Sequence, residues 1–195
     1  MREFVKICCR FAALVAVSPL LLSYWLWSLA VGPDRALEGS SQTVSLLPGL
    51  VGVYLRRAFL ARVLAGCHKS ATVEFGTLFS QTGARLDENV YVGPRCHLGL
   101  VHVERDALLG PGVHVPSGAR THGIADPSKP IREQEHVRTE VTIGAGAWIG
   151  SAAVVMADVG PGTVVGAGAV VTKPLPANVV AAGVPARVIR ERSNP

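Results

Sequence analysis

Between residues 141 and 172 the apolar positions recur every six residues. Ile143, Ile149 and Val155 hold that spacing, and after a shortened turn at Val159-Gly160 it returns at Val165 and Val171. Gly144, Gly150 and Gly166 each follow one of these aliphatic residues. A helix repeats every 3.6 residues and a half-buried strand every 2, so neither explains the pattern. A short fixed period with glycine at the corners predicts a β-solenoid, in which each six-residue unit forms one flat side of a coil. The aliphatic side chain points inward and stacks on its copies. The glycine gives the backbone the freedom that a corner needs.

The same step appears earlier, at Val92-Gly93, Leu98-Gly99 and Leu109-Gly110, with Val103 and Val115 in register. Three sides take about eighteen residues, so 70–117 and 141–176 predict about four to five coils in a domain spanning 67–176. The stretch 118–140, GARTHGIADPSKPIREQEHVRTE, breaks the period with two prolines, two histidines and many charges. An insertion of this length in a regular stack is expected to be functional or a binding lid. Residues 177–195 read as a short C-terminal segment.

Residues 1–66 follow different rules. Residues 11–31 contain no charge, and about 20 apolar residues suffice to cross a bilayer. Arg2, Lys6 and Arg10 precede the run, which puts the N-terminus on the cytoplasmic side. Tyr24, Trp25 and Trp27 read as an interfacial aromatic cluster. Ser18-Pro19 predicts a kink, either in an ordinary span or in a re-entrant helix. A cleaved signal peptide competes, but the run is long and lacks a small-x-small site. A second stretch, 44–65, is broken at Pro48-Gly49. Beyond the break Arg56, Arg57 and Arg62 interleave with Tyr54, Leu55, Phe59, Leu60, Val63 and Leu64. That pattern predicts a basic amphipathic helix, either lying on an anionic membrane or capping the first coil. The N-terminal region therefore reads as hydrophobic and amphipathic membrane helices. A cytoplasmic active domain requires that the first segment re-enter or that the second bring the chain back.

Composition changes this picture little. Gly 21, Pro 13 and only 6% aromatics suit an aliphatic stack. The net charge of +5, from 19 Lys and Arg against 14 Asp and Glu, fits an anionic membrane or a polyphosphate cofactor. No aromatic and basic interleaving points to nucleic acid. Cys8, Cys9, Cys67 and Cys96 form no C-x-x-C pair, so reduced thiols are expected.

Trp148-Ile149-Gly150, GAGAVVTKPLP and VVAAGVPARVIRER together resemble the hexapeptide-repeat acyltransferases, whose fold is a left-handed parallel β-helix. Upstream, SLLPGLVGVYLRRAF, FGTLFS and VPSGARTHG resemble the membrane-associated branch that acetylates capsular and exopolysaccharide sugars. The resemblance covers about residues 42–192. It implies a mainly β protein acting as a homotrimer on the cytoplasmic side of a membrane. Acetyl-CoA is the implied co-substrate, bound between neighbouring chains. The implied acceptor is a saccharide hydroxyl, on a lipid-linked or nucleotide-linked sugar.

The resemblance makes His122 the general base. The chemistry asks for this residue type, because a hydroxyl is a poor nucleophile at neutral pH and imidazole titrates near it. By the same likeness Trp148, Gly150 and Ser151 line the thioester end, and a backbone N–H of Gly150 or Ser151 meets the oxyanion. Gly166 and Ala167 let the pantetheine approach, and Thr172, Lys173 and Arg187 meet the adenosine phosphates. The family's acceptor pattern departs at Asn89-Val90-Tyr91-Val92-Gly93, and Asp126, Arg132 and Gln134 are candidate replacements. His114 reads as an outward surface position or secondary contact, and His136 as part of a lid. His97 and His102, five apart, raise a zinc hydratase reading that lacks a third ligand unless His68 or His122 supplies one, so no metal is expected. Transfer to an amino sugar or to serine stays open, as does a non-catalytic scaffold held at the membrane.

Overall fold

In the computed structural model, which describes residues 2–192, three α-helices precede a parallel β-solenoid. Met1 and residues 193–195 of the two predicted terminal segments lie outside the described residues. The first coil is β1 (Gly66–Cys67), β2 (Thr72–Val73) and β3 (Leu78–Phe79). The second is β4 (Arg85–Leu86), β5 (Tyr91–Val92) and β6 (His97–Leu98). The third is β7 (Val101–Val103), β8 (Leu108–Leu109) and β9 (His114–Val115). After the insertion come β10 (Val141–Ile143), β11 (Trp148–Ile149) and β12 (Val154–Val155), then β13 (Val164–Val165) and β14 (Val170–Val171). A sixth, partial coil holds β15 (Val179–Ala182), and β16 (Arg187–Glu191) folds back antiparallel on it. Equivalent strands stack into three sheets. Sheet 1 runs β1-β4-β7-β10, sheet 2 runs from β2 to β16, and sheet 3 runs β3-β6-β9-β12-β14.

The stack therefore has about six turns, against the four to five expected. The spacing missed the first coil because Gly66-Cys67-His68-Lys69 carries no aliphatic-glycine step. It missed the last because sheet 1 shrinks there to single bridges, Ile143 to Val159 and Val159 to Leu175. One coil takes 17 residues between Val92 and Leu109 and 16 between Ile149 and Val165. Inside lies a continuous column of fully buried aliphatics, including Val73, Val92, Leu109, Ile149 and Val165.

Each hexad buries two side chains, not one. Ile149 is followed four residues later by buried Ala153, as Leu109 is by buried Val113. The corner glycine also works differently from the expectation. Gly150 needs no positive φ; a Cβ on it would lie 2.5 Å from the Ala167 nitrogen and 2.7 Å from the Val165 oxygen of the next coil. Left-handed backbone falls two residues later, at Ala152 with φ 58° and at Gly168 with φ 67°. The glycine permits close approach of coils, and the turn proper sits elsewhere in the hexad.

α1 (Arg2–Val31) runs unbroken through Pro19. The proline removes the amide that would bond the Val15 carbonyl, and the Ser18 hydroxyl donates to that carbonyl instead, at 2.8 Å. Among the described residues α1 is the one helix long and apolar enough to cross a membrane, with mean hydropathy 1.9. The expectation of hydrophobic and amphipathic helices at the N-terminus is thus met by one helix of crossing length and hydropathy. Gly32, at φ 86°, turns the chain into α2 (Pro33–Ser45), a polar helix that the apolar pattern did not reveal.

α2 and α3 (Gly49–Val63) close the open end of the first coil. Asp34 of α2 accepts from the Thr82 amide at 2.9 Å and from its hydroxyl at 2.7 Å. Ser41 donates to the Phe79 carbonyl at 3.2 Å. Arg56 was expected on a basic surface but is 1% exposed. Its Nε donates to the Val73 carbonyl at 2.8 Å, and Nη1 to the carbonyls of Leu47 and Val44 that end α2. Tyr24, expected at a membrane interface, is also buried; its ring meets Phe59 edge-on at 6.0 Å. Trp25 and Trp27 do face outward.

Candidate active site

The insertion leaves sheet 3 after β9 and returns at β10. Its stem is pinned where Ser117, at φ 59°, accepts from the Leu100 amide through Oγ at 2.7 Å. The Ser117 carbonyl takes the Thr139 amide at 2.9 Å, and the Arg120 carbonyl takes the Val137 amide at 3.2 Å. The two arms therefore run side by side, with His122 on the outgoing arm and His136 on the returning one. Their rings meet edge to face with centroids 5.0 Å apart. His136 Nδ1–H donates to the Thr121 carbonyl at 3.2 Å. A carbonyl only accepts, so the proton of that bond sits on Nδ1.

Beneath the arms lies a cleft of 340 Å³ that also takes in His97, His114, Glu38 and Arg138. His97 and His114 pair across adjacent strands of sheet 3, with ring centroids 5.9 Å apart. Burial lowers the His97 pKa from its ordinary value, and neighbouring His114 pushes the same way, while Glu38 opposes both. Four imidazoles, one carboxylate and one guanidinium thus converge on one hollow. They can exchange a proton with a bound hydroxyl and hydrogen-bond its neighbours.

The sequence grouped some of these residues differently. His97 stacks with His114, one coil away, not with His102. His102 lies on sheet 1, where Nε2 meets Asp87 at 3.0 Å. The pair behind the zinc reading therefore faces two directions. Asp126 and Gln134 are engaged within the insertion's own tip: Gln134 Nε2 donates to the Asp126 carbonyl at 2.8 Å, and Asp126 accepts from the Ser128 hydroxyl at 2.6 Å. Asn89 occupies a left-handed turn and donates to Asp106 at 3.2 Å. Glu38 was missed because α2 was missed, although Gly32-Pro33-Asp34 is a helix-start signal. The 17-residue step between His97 and His114 could have placed them together, since one coil takes 17 residues there.

The residues assigned to the cofactor form a different group. Trp148 points outward from sheet 2 and is 52% exposed, in register with Leu108 and Val164. Gly150, Ser151, Gly166 and Ala167 lie on the edge between sheets 2 and 3, on consecutive coils. The Gly150 N–H is committed to the Val165 carbonyl at 2.8 Å. That leaves the Ser151 N–H of the two oxyanion candidates. Thr172 and Lys173 are exposed on the edge between sheets 3 and 1. Arg187 sits in β16, with Nη1 donating to the Ala186 carbonyl at 3.0 Å. None of these eight residues lines the His122 cleft. Gly150 and Ser151 lie on the edge of sheet 3 opposite the one from which the insertion departs.

No family model matches the chain. Over 53 residues it is 58% identical to the galactoside O-acetyltransferase of Escherichia coli (strain K12), covering 26% of each protein. The chain thus spans about a quarter of that relative's length. It is 29% identical over 163 residues to WbbJ of Escherichia coli (strain K12), named for O-acetyl transfer in lipopolysaccharide biosynthesis. That match covers 73% of this chain and 83% of the relative. A galactoside acetyltransferase solved in complex with coenzyme A superposes with a TM-score of 0.69 at 27% identity, over 82% of this chain and 81% of that one. The solenoid and these likenesses define what the chain is similar to: acetyltransferases with a hexapeptide-repeat β-solenoid. Its likenesses include the galactoside enzymes and also the 2,3,4,5-tetrahydropyridine-2,6-dicarboxylate N-acetyltransferase of Staphylococcus aureus (strain JH9), 40% identical over 84 residues that cover 43% of this chain and 33% of that one.

Proposed function

We propose that the chain transfers acetyl from acetyl-CoA to a saccharide hydroxyl in surface polysaccharide biosynthesis, with His122 as general base. One observation carries this reading: His122 and His136 are held face to edge, 5.0 Å apart, over a cleft that also contains Glu38, His97 and His114. An acceptor sugar in that cleft presents several hydroxyls, and the carboxylate, imidazoles and Arg138 are suited to hold them. His122 takes the proton of one hydroxyl as its oxygen attacks the thioester carbonyl. The oxyanion of the tetrahedral intermediate is met by the Ser151 N–H, and the coenzyme thiolate leaves and is protonated.

The same proposal gives the cofactor residues their places. Trp148, Gly150 and Ser151 receive the thioester end, Gly166 and Ala167 the pantetheine arm, and Thr172, Lys173 and Arg187 the phosphates. On one chain the thioester-end residues Gly150 and Ser151 stand on the edge of sheet 3 opposite the one from which the His122 insertion departs, so the reading calls for a second copy to complete each site, and a homotrimer with three sites meets that need. Attachment to the cytoplasmic face of a membrane is supported by the apolar outward side of α1 and by Arg2, Lys6 and Arg10 at its start. Packing of α1 on Phe59 through Tyr24 favours a retained helix over a cleaved leader.

The test is a coenzyme A release assay with purified protein, acetyl-CoA and candidate saccharides. His122→Ala is expected to lower kcat by about 10²–10⁴-fold while thermal stability stays unchanged. Wild-type turnover in His122→Ala would remove His122 as the base. Retained turnover on amino sugars alone would point to amine transfer. Mass spectrometry of surface glycan from cells with and without the chain decides the polysaccharide assignment; the expected difference is one acetyl group per modified residue.

A further inference from the structure

We propose that the groove between α1, α3 and the first coil binds the phosphate headgroup of an anionic phospholipid. It encloses 250 Å³ and is lined by Arg10, Arg57, Arg62 and Lys69, with Phe11 and Tyr54 among its uncharged walls. Four cations converge there, and no carboxylate lines the groove. Among the described residues none of the four forms a salt bridge. Arg10 Nη2 donates to the Lys69 carbonyl at 3.5 Å and Arg57 Nη1 to the Ala71 carbonyl at 3.2 Å. These bonds orient the guanidiniums without neutralising them. Arg57 also lies over the Tyr54 ring, 4.7 Å from its centroid. Arg10 Nε is buried and has no partner. Like charges gathered on a low-dielectric wall repel one another, and an anion is the group that relieves them.

A second groove shows what carries the anion. Tyr54 also lines a hollow of 370 Å³ whose walls include Ala12, Ala16, Leu50 and Val51 and no charged residue. Leu50 and Val51 are 72% and 71% exposed, respectively. A cationic hollow and an apolar trough thus share one residue, the complement of a molecule with an anionic head and a hydrocarbon tail. A free phosphate would use only the first hollow, and an uncharged lipid only the second. Arg10 is the last charge before the apolar run 11–31, and a headgroup lies at that level when such a run enters a bilayer. This site does not depend on acetyl transfer.

The test uses the full chain in uncharged detergent micelles. Native mass spectrometry compares its retention of dioctanoyl phosphatidic acid, dioctanoylglycerol and inorganic phosphate at equal concentration. The expected result is a phosphatidic acid adduct at least about tenfold stronger than either of the others. Arg62→Gln/Lys69→Gln removes two exposed charges and disturbs no packed side chain. It should weaken phosphatidic acid binding about 30-fold, at the usual worth of two basic residues at headgroup level, with an unchanged Tm. Equal retention of dioctanoylglycerol would reduce the site to an apolar surface. Retention of inorganic phosphate as strong as that of the lipid would make it a free-anion site. A double variant that holds phosphatidic acid like the parent would overturn the assignment of these residues.

Discussion

Gly150→Ala isolates what the repeat demands. The added Cβ would lie 2.5 Å from the Ala167 nitrogen, 2.7 Å from the Val165 oxygen and 2.8 Å from the Gly166 carbonyl carbon. All three are main-chain atoms, so no rotamer change relieves the contact. Restoring ordinary contact needs about 0.9 Å of extra separation between these two coils. The coil-to-coil bonds there are the Gly150 amide on Val165 at 2.8 Å and the Gly168 amide on Ser151 at 2.9 Å. Stretched by that amount, both pass beyond hydrogen-bonding distance, a loss of about 1 kcal/mol each. Overpacking strain adds about 1–3 kcal/mol, for a total of about 3–5 kcal/mol. At about 2–4 °C per kcal/mol for a chain of this size, Tm should fall by about 6–20 °C. Gly146→Ala is the control. Its φ is 65°, but nothing lies within 4 Å of the added Cβ, so only left-handed strain of about 1–2 kcal/mol applies. Differential scanning calorimetry of both variants is the assay. A Gly150→Ala Tm within about 2 °C of the parent, or equal shifts in the two variants, would refute the close-approach account.

Three further outcomes follow from particular residues. Arg56→Met keeps much of the volume but removes the donors to the Val73 and Leu47 carbonyls, while Val44 keeps its backbone partners. It should cost about 3–5 kcal/mol and expose α3 to proteolysis, and an unchanged calorimetric Tm would show that this staple is dispensable. Trp148→Ala should shift stability by no more than about 1 kcal/mol, because the ring is half exposed, yet weaken coenzyme A about tenfold. Titration calorimetry giving the parental Kd would remove Trp148 from the cofactor site. His97 has a folded-state pKa below its ordinary 6.5, so the unfolded chain binds the proton more readily and stability is lost as pH falls through and below that value. His97→Asn should flatten the acid side of the Tm-against-pH curve, and an identical slope would contradict the shift.

The repeat was legible because a solenoid imposes the same demand at every turn. Ile149, Val155, Val165 and Val171 face one interior, so one spacing serves them all. Where the demand changed, the signal vanished. Sheet 1 narrows to Val159 and Leu175, each reached by a four-residue step from Val155 and Val171 that breaks the six-residue spacing. Periodicity was equally blind to what a face touches. Arg56 and Arg57 are neighbours in one basic run, but Arg56 turns inward onto carbonyls that belong to α2, an element with too few apolar residues to announce itself. The candidate site mixes the two cases. His122 was singled out by the family resemblance, inside an insertion that the break in the repeat marks. His136, Glu38, His97 and His114 reach the same cleft through the return of a loop, a missed helix and the length of a coil, none of which is visible in adjacent residues.

These connections make the helical layer part of the site as well as a cap. α2 is fixed to the first coil at both ends, by Asp34 on Thr82 and by the Ser45 carbonyl on the Gly76 amide at 2.9 Å, with Ser41 on Phe79 between them. Glu38 stands between those anchors and faces the cleft beside His97. α1 packs on α2 and α3, so any surface that holds α1 also sets the position of the carboxylate. The cleft and the lipid groove therefore share one rigid support, with Arg56 as the bolt between α2, α3 and β2. Loosening that support by Arg56→Met should disturb the Glu38 side of the cleft more than the His122 side. Acceptor KM should then rise more than kcat falls, because the proposed base, His122, is carried by an insertion pinned at Ser117 and Thr139, on a different coil.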